Sequence, residues 1–429
     1  MIKVLLKGPM LSRSGYGLQS LTLLRALRKF PERFDVYVIN TAWGATSWTW
    51  EDTEERRWID QSLQKTLLYQ QKGGKFDISI QVTIPPEWQK LAPINIGYTA
   101  GIESTKISPQ WMMACTNVNK ILVISEHARY AFDNTLYPAT DNNTGRQFMA
   151  KVETPIVVTP YPVREIEPKP IDIDFKHDFN FLTVAQWCPR KNLENTIKWF
   201  VEEFKDKNVG LVLKINLIKN CLMDREAAEH RVKSILAPLG ERKCTVHLLH
   251  GDLTDEEMTF LYRHPKIKAM LSLANAEGWG LPLFEAVYNG LPVVAPNWSG
   301  QCDFINMPVK DKKTGKVKNT CMITEVSYDM KHVQPEAVWD TMIIKESQWC
   351  FPIENSAREK MREVYKNYGA CLSKAKKLKE YVLKRFNEKD ILTHFADQIF
   401  EDNNVLDVMD FLKEEKEVNP LLKEIVAYD

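Results

Sequence analysis

Along most of the chain, short runs of apolar and β-branched residues alternate with stretches whose apolar positions recur at helical spacing. In the first half the strand-like runs are "IKVLLKG", "DVYVIN", "FDISIQV", "INIGYTAG", "KILVIS" and "PIVVTPYPV". A second series reads "FNFLTVAQ", "LVLKINLI", "CTVHLLHGDL", "IKAMLSLA" and "LPVVAP". Between them lie helical patterns such as Leu18, Leu21, Leu24 and Leu27, or "LENTIKWFVEEF" and "DEEMTFLYRH". Alternation of this kind predicts a parallel α/β architecture, and its repetition predicts two doubly wound sheets in series.

The break between the series is "VREIEPKPIDIDFKHD", where Pro168 and Pro170 stand among charged residues and suit an exposed connection better than an element interior. The predicted organisation is an N-terminal domain over 1–163, a linker over 164–178, a second domain over 179–336 and a helical extension over 337–429. Strand signals are expected to stop near Ala337, beyond which the chain reads as charged amphipathic helix.

At 429 residues and 44% hydrophobic composition, the chain is longer than one core usually serves. A formal charge of +1 argues against a polybasic scaffold bound through phosphates. The run "KDKKTGKVKN" from Lys310 to Asn319 is expected to be a solvated loop, with a binding patch as the alternative. Eight scattered cysteines without a C-x-x-C pair suggest neither a zinc site nor a disulfide framework and fit a reducing compartment. No apolar stretch is long enough to span a membrane, so a soluble, cytoplasmic protein is expected.

Where two doubly wound sheets face each other, ligands bind at the carboxyl ends of the strands. Three segments fall there. Gly15 and Gly17 precede the Leu18-to-Leu27 helix, a geometry that offers free N–H groups to an anion; a plain glycine turn is the alternative. Arg190 and Lys191 end a strand just before a helix, where cations oppose the helix dipole unless an anion answers them. In "AEGWGLPLFEA", Glu277 lies on the turn and Glu285 is expected in the first turn of the following helix, with Pro282 at its first position. The backbone of Gly278 and Gly280 lies between the two carboxylates.

The longer string "SLANAEGWGLPLFEAVYNGLPVVAPNWSG" resembles the donor-binding segment of retaining glycosyltransferases of the GT-B fold, in particular the family 4 group with its glutamate–seven residues–glutamate motif. The resemblance implies that Glu277 faces the transferred sugar, that Glu285 holds the nucleotide ribose, and that the backbone of Gly278, Trp279, Gly280 and Leu281 meets sugar and diphosphate. Lys191 matches the family's lysine. Ala185 and Gln186 stand where the family has glycine and arginine, so Gln186 is a donor-side candidate and Arg190 a neighbouring substitute for the missing cation. Gly15 and Gly17 match the family's glycine loop. "ILVISEHARYAF" is similar to its serine-bearing strand-to-helix turn. Glu103, in "GYTAGIEST", stands where many relatives carry an acceptor-facing histidine, although it can equally cap its turn.

The resemblance implies retaining transfer from a nucleotide sugar, a UDP- or GDP-sugar, to a hydroxyl acceptor, with no further cofactor. Without an Asp-x-Asp motif in the second domain, metal-independent departure of the diphosphate is expected. A nucleotide-sugar epimerase or phosphorylase, and an inactive relative serving as a binding module, are the competing readings. The "GYTAGIESTKISPQW" style of first domain is similar to glycosyltransferases of large bacteriophages, which makes hydroxymethylated DNA an acceptor beside glycans, in the host cytoplasm if the gene is a phage's. The tryptophan-rich stretch from Trp43 to Trp58 offers either a stacking surface or core packing.

Overall fold

The computed structural model describes residues 1–400 apart from residues 45, 142, 312, 313 and 340. Residues 401–429 of the expected helical extension therefore lie outside the described residues.

Six strands form the first sheet: β1 (Ile2–Gly8), β2 (Phe34–Asn40), β3 (Ile78–Val82), β4 (Ile94–Thr99), β5 (Lys120–Val123) and β6 (Ile156–Val158). All pairings are parallel, in the order β2-β1-β3-β4-β5-β6. Every residue of β3 and β4 is buried, as expected of central strands covered on both faces. The second sheet comprises β7 (Asn180–Gln186), β8 (Gly210–Asn216), β9 (Thr245–Leu249), β10 (Ile267–Leu271), β11 (Val293–Pro296) and β12 (Thr324–Val326). It too is wholly parallel, in the order β9-β8-β7-β10-β11-β12.

Both orders reverse direction once. In the first sheet the reversal separates β1 from β3; in the second it separates β7 from β10. At such a point the connections leave to opposite faces and open a crevice beyond the carboxyl ends of the strands. The loops after β1, β7 and β10 are the three segments singled out in the sequence.

The first helix, Gly15–Arg28, is capped by Ser14, whose Oγ accepts from Gly17 N. Its buried face differs from the leucine repeat: Gln19, Ser20 and Thr22 are buried with Leu23, Leu24 and Leu27, while Leu18 and Leu21 are half-buried. Ser20 and Thr22 hydroxyls donate to Tyr16 O and Leu18 O, which lets them enter the interior.

After β6 the chain runs from 159 to 175 without a helix or strand and enters the second domain. Strand signals do not stop at Ala337. Gln348–Pro352 pairs antiparallel with Tyr328–His332, and Trp349 and Cys350 are fully buried there. The long helix read after that is divided at Asn367 into Glu354–Lys366 and Tyr368–Arg385. A third helix, Glu388–Phe400, returns to the first domain: Phe395 meets the edge of Tyr98, ring centroids 5.4 Å apart, and Lys120 Nζ donates to Gln398 O at 2.8 Å. The outgoing and returning connections touch, Val163 N donating to Phe386 O at 2.7 Å.

Candidate active site

The loop after β7 forms a single turn over Pro189–Lys191, closed by Asn192 in the left-handed conformation with φ 51°. The helix Leu193–Phe204 begins only after it and carries Glu194 in its own first turn. Arg190 and Lys191 therefore lie just before the helix, as expected, but in a turn of their own past the end of β7. Asn192 Nδ2 donates to Leu273 O at 3.1 Å, and Asn275 N donates to Arg190 O at 2.8 Å. These bonds tie the loop after β7 to the loop after β10.

Glu277 stands on that second loop and is buried, at 7% exposure. Its N–H donates to Ser299 Oγ at 2.9 Å, and its carbonyl accepts from Gly300 N at 2.9 Å. A Cβ on Gly300 would lie 1.9 Å from Gly278 O, so only glycine permits this approach. Gly280 holds φ +88°, turning the chain into the helix Leu281–Tyr288.

The side chain of Glu277 accepts from Lys191 Nζ on one oxygen and from Arg190 at 3.0 Å on the other. Burial opposes its charge; the Lys191 and Arg190 cations overcome that and hold its carboxyl below the usual glutamate range. Arg190 also donates to Ala276 O at 2.6 Å, and its second amino group lies 3.2 Å from Glu103 of the first domain. Burial acts against the Arg190 charge, and Glu103 and Glu277 outweigh it. Two cations and two carboxylates thus form one cluster across the domain boundary, with Glu103 contributed by the first domain.

Glu285 is the fifth residue of its helix, past the first turn, and forms a separate centre. Tyr262 donates to it at 2.8 Å. Burial raises its carboxyl to about 7, against the opposing pull of Tyr262 and the Arg164 guanidinium. Arg164 in turn pairs with Asp255. Arg164 and Tyr262 were not legible in the sequence because their partner is set by tertiary packing; Ser299 belongs to the glycine-bearing loop that follows the motif but carries no signal of its own.

Trp279 contributes no aromatic face. Its indole is 2% exposed among Phe284, Phe304 and Phe386, with centroids 5.1–5.5 Å away, so only its backbone borders the cleft. Gln186 is exposed and donates to Leu217 O at 3.1 Å. Gly15 is exposed at the start of its helix, and a Cβ there would lie 3.9 Å from Leu281 Cδ1, which sets the glycine loop of one domain against the Gly278–Leu281 turn of the other. Gly17 is buried behind it.

The tryptophan-rich stretch is divided between surface and core: Trp43 and Trp58 are half-buried, and Trp58 packs against the main hydrophobic core. Trp48 and Trp50 are 51% and 77% exposed, Trp43 stacks on Tyr16 with centroids 4.0 Å apart, and Trp58 lies under Arg28. The basic segment is an exposed hairpin, Asn306–Lys310 with Val317–Cys321, where a loop was expected; Lys312 and Lys313 lie outside the described residues.

Two parallel doubly wound domains whose strand ends face one cleft, with the helix Glu388–Phe400 returning to the first domain, define the GT-B fold. Residues 167–321, about a third of the chain, match the family model described as Glycosyl transferases group 1. Among solved structures, HepE of Anabaena in complex with UDP and glucose is 13% identical, with a TM-score of 0.58 over 94% of this chain and 100% of that one. A sucrose-phosphate synthase of Thermosynechococcus elongatus is 12% identical, with a TM-score of 0.60 over 94% and 99%. A glycosyltransferase of Rickettsia africae is 12% identical, with a TM-score of 0.56 over 94% and 98%. At such identities the likeness is one of fold. No curated protein matches the chain in sequence. Among the described residues, no helix is long and apolar enough to cross a membrane.

Proposed function

We propose that the protein transfers a sugar from a nucleoside-diphosphate sugar to a hydroxyl acceptor, with retention of configuration and without a metal ion. The observation that carries this reading is the convergence of Glu277, Arg190 and Lys191 at the reversal point of the second sheet, opposite the glycine loop of the first. Departure of a nucleoside diphosphate builds negative charge on its phosphates, and fixed cations and N–H dipoles in a desolvated pocket stabilise that charge without reorganising. In this reading Lys191 and Arg190 take the diphosphate with the Gly15 loop, and the Glu277 carboxylate accepts from sugar hydroxyls. Glu285, whose carboxyl burial raises to about 7, hydrogen-bonds the ribose hydroxyls.

Retention follows from attack on the face from which the diphosphate leaves, with a phosphate oxygen taking the acceptor's proton. As to the acceptor, the exposed Trp48 and Trp50 support a stacking surface on the first domain, suited to a sugar ring or an extruded base. The deciding experiment incubates the protein with UDP- and GDP-sugars and measures nucleotide release with and without acceptors. Release that depends on an acceptor is the expected result. Turnover without any alcohol would point to an epimerase or phosphorylase, and binding without turnover to an inactive module.

A further inference from the structure

Arg190 uses its two amino groups differently. One is committed within its own domain, to Ala276 O and Glu277 Oε2, while the other reaches across the cleft to Glu103 Oε1 at 3.2 Å. The two carboxylates also differ. Glu277 has a side chain only 9% exposed, is gripped by both cations and is fixed through its backbone to Ser299 and Gly300. The Glu103 side chain is 28% exposed and belongs to the opposite domain. Its Cγ lies 3.8 Å from where a Cβ on Gly278 would stand, directly over the donor segment.

With two cations facing two carboxylates, the pocket is already neutral. A diphosphate entering beside Arg190 adds at least two negative charges, and like charges at that separation repel strongly in a partly desolvated site. One carboxylate must give way, and the more exposed, singly held one does so at lower cost. We propose that Glu103 is a built-in competitor for the donor's phosphate: it occupies the outer amino group of Arg190 until a diphosphate displaces it, and thereby weakens diphosphate ligands while leaving monophosphate ligands untouched. This rests on the donor-site reading given above. A nucleoside monophosphate has no second phosphate with which to take Arg190, so it leaves the Glu103 contact in place.

The test is calorimetric titration of the full chain with UDP, UMP and inorganic pyrophosphate. Glu103→Gln removes the competing charge at constant shape and is expected to tighten UDP and pyrophosphate binding about fivefold, the scale of one partly exposed ion pair, while leaving UMP unchanged. Glu103→Asp, which keeps the charge, is expected to bind UDP like the wild type. The gain in Glu103→Gln should vanish when Arg190→Ala is combined with it. A gain shared equally by UMP, a gain that survives Arg190→Ala, or no gain for pyrophosphate overturns the proposal. Failure of the wild type to bind any of UDP, GDP and their sugars counts against the nucleotide-sugar reading instead, and the pyrophosphate titration still decides the exchange.

Discussion

Lys191 and Glu277, 86 positions apart in the chain, meet in a charge-assisted hydrogen bond at the reversal point of the second sheet. The bond binds the loop after β7 to the loop after β10, so Lys191 serves both the fold and the proposed chemistry. Lys191→Ala leaves the buried Glu277 with Arg190 alone and should lower stability by about 1–3 kcal/mol. In steady-state assays it should reduce kcat more than it raises the donor KM, because charge accumulates on the leaving phosphate mainly in the transition state. Equal kcat with a raised KM would assign Lys191 to ground-state binding only.

Glu285 gives a pH signature. Its folded carboxyl is raised to about 7 from an ordinary value of 4.5. The native state therefore binds a proton more tightly than the unfolded chain, so the associated stability is complete below pH 4.5 and is lost as pH rises through about 7. Glu285→Gln mimics the protonated form. Its melting temperature relative to wild type should rise between pH 5 and pH 8. Parallel melting curves across that range would remove the buried-acid reading.

The two glycines of the first loop separate packing from ligand approach. On Gly17 a Cβ would lie 1.9 Å from Ser12 O, so Gly17→Ala should lower the melting temperature. On Gly15 a Cβ meets nothing nearer than Leu281 at 3.9 Å. Gly15→Ala should thus keep wild-type stability while weakening UDP binding by crowding the helix N-terminus. Unchanged UDP affinity in a well-folded Gly15→Ala protein would detach the glycine loop from the phosphates.

Treatment with EDTA should leave turnover nearly intact if Arg190, Lys191 and backbone dipoles neutralise the leaving group. Loss of activity restored by magnesium or manganese would contradict the metal-independent reading.

For the acceptor, Trp48→Ala and Trp50→Ala should raise the acceptor KM without altering the donor KM, and neither should reduce stability, since both rings are largely exposed. Labelled sugar offered to hydroxymethylcytosine DNA, unmodified DNA and simple glycans distinguishes the acceptor classes. A DNA acceptor also requires binding that weakens steeply with salt. Transfer to glycans alone removes the DNA option.

The doubly wound pattern was legible because buried parallel strands write their burial directly as apolar runs, and because glycines and cations cluster where such strands end. The Gln348–Pro352 strand escaped notice, being a single short segment inside a charged stretch. The burial of the Trp279 indole was likewise not legible: a tryptophan on a turn can face a ligand or fill a core, and only packing decides between them. Most of what tunes the site, Tyr262 against Glu285 and Glu103 against Arg190, depends on contacts between distant segments and leaves no local periodicity to read.

The hydrogen bond from Val163 to Phe386 has a mechanical meaning. A body hung from one flexible cord can swing in any direction, whereas one suspended from two adjacent cords has a preferred line about which to turn. Because the described polypeptide crosses between the lobes twice and the crossings are joined, an opening of the cleft is expected to run as rotation about one line. Such a rotation would return the loops bearing Glu103 and Arg190 to the same alignment each time.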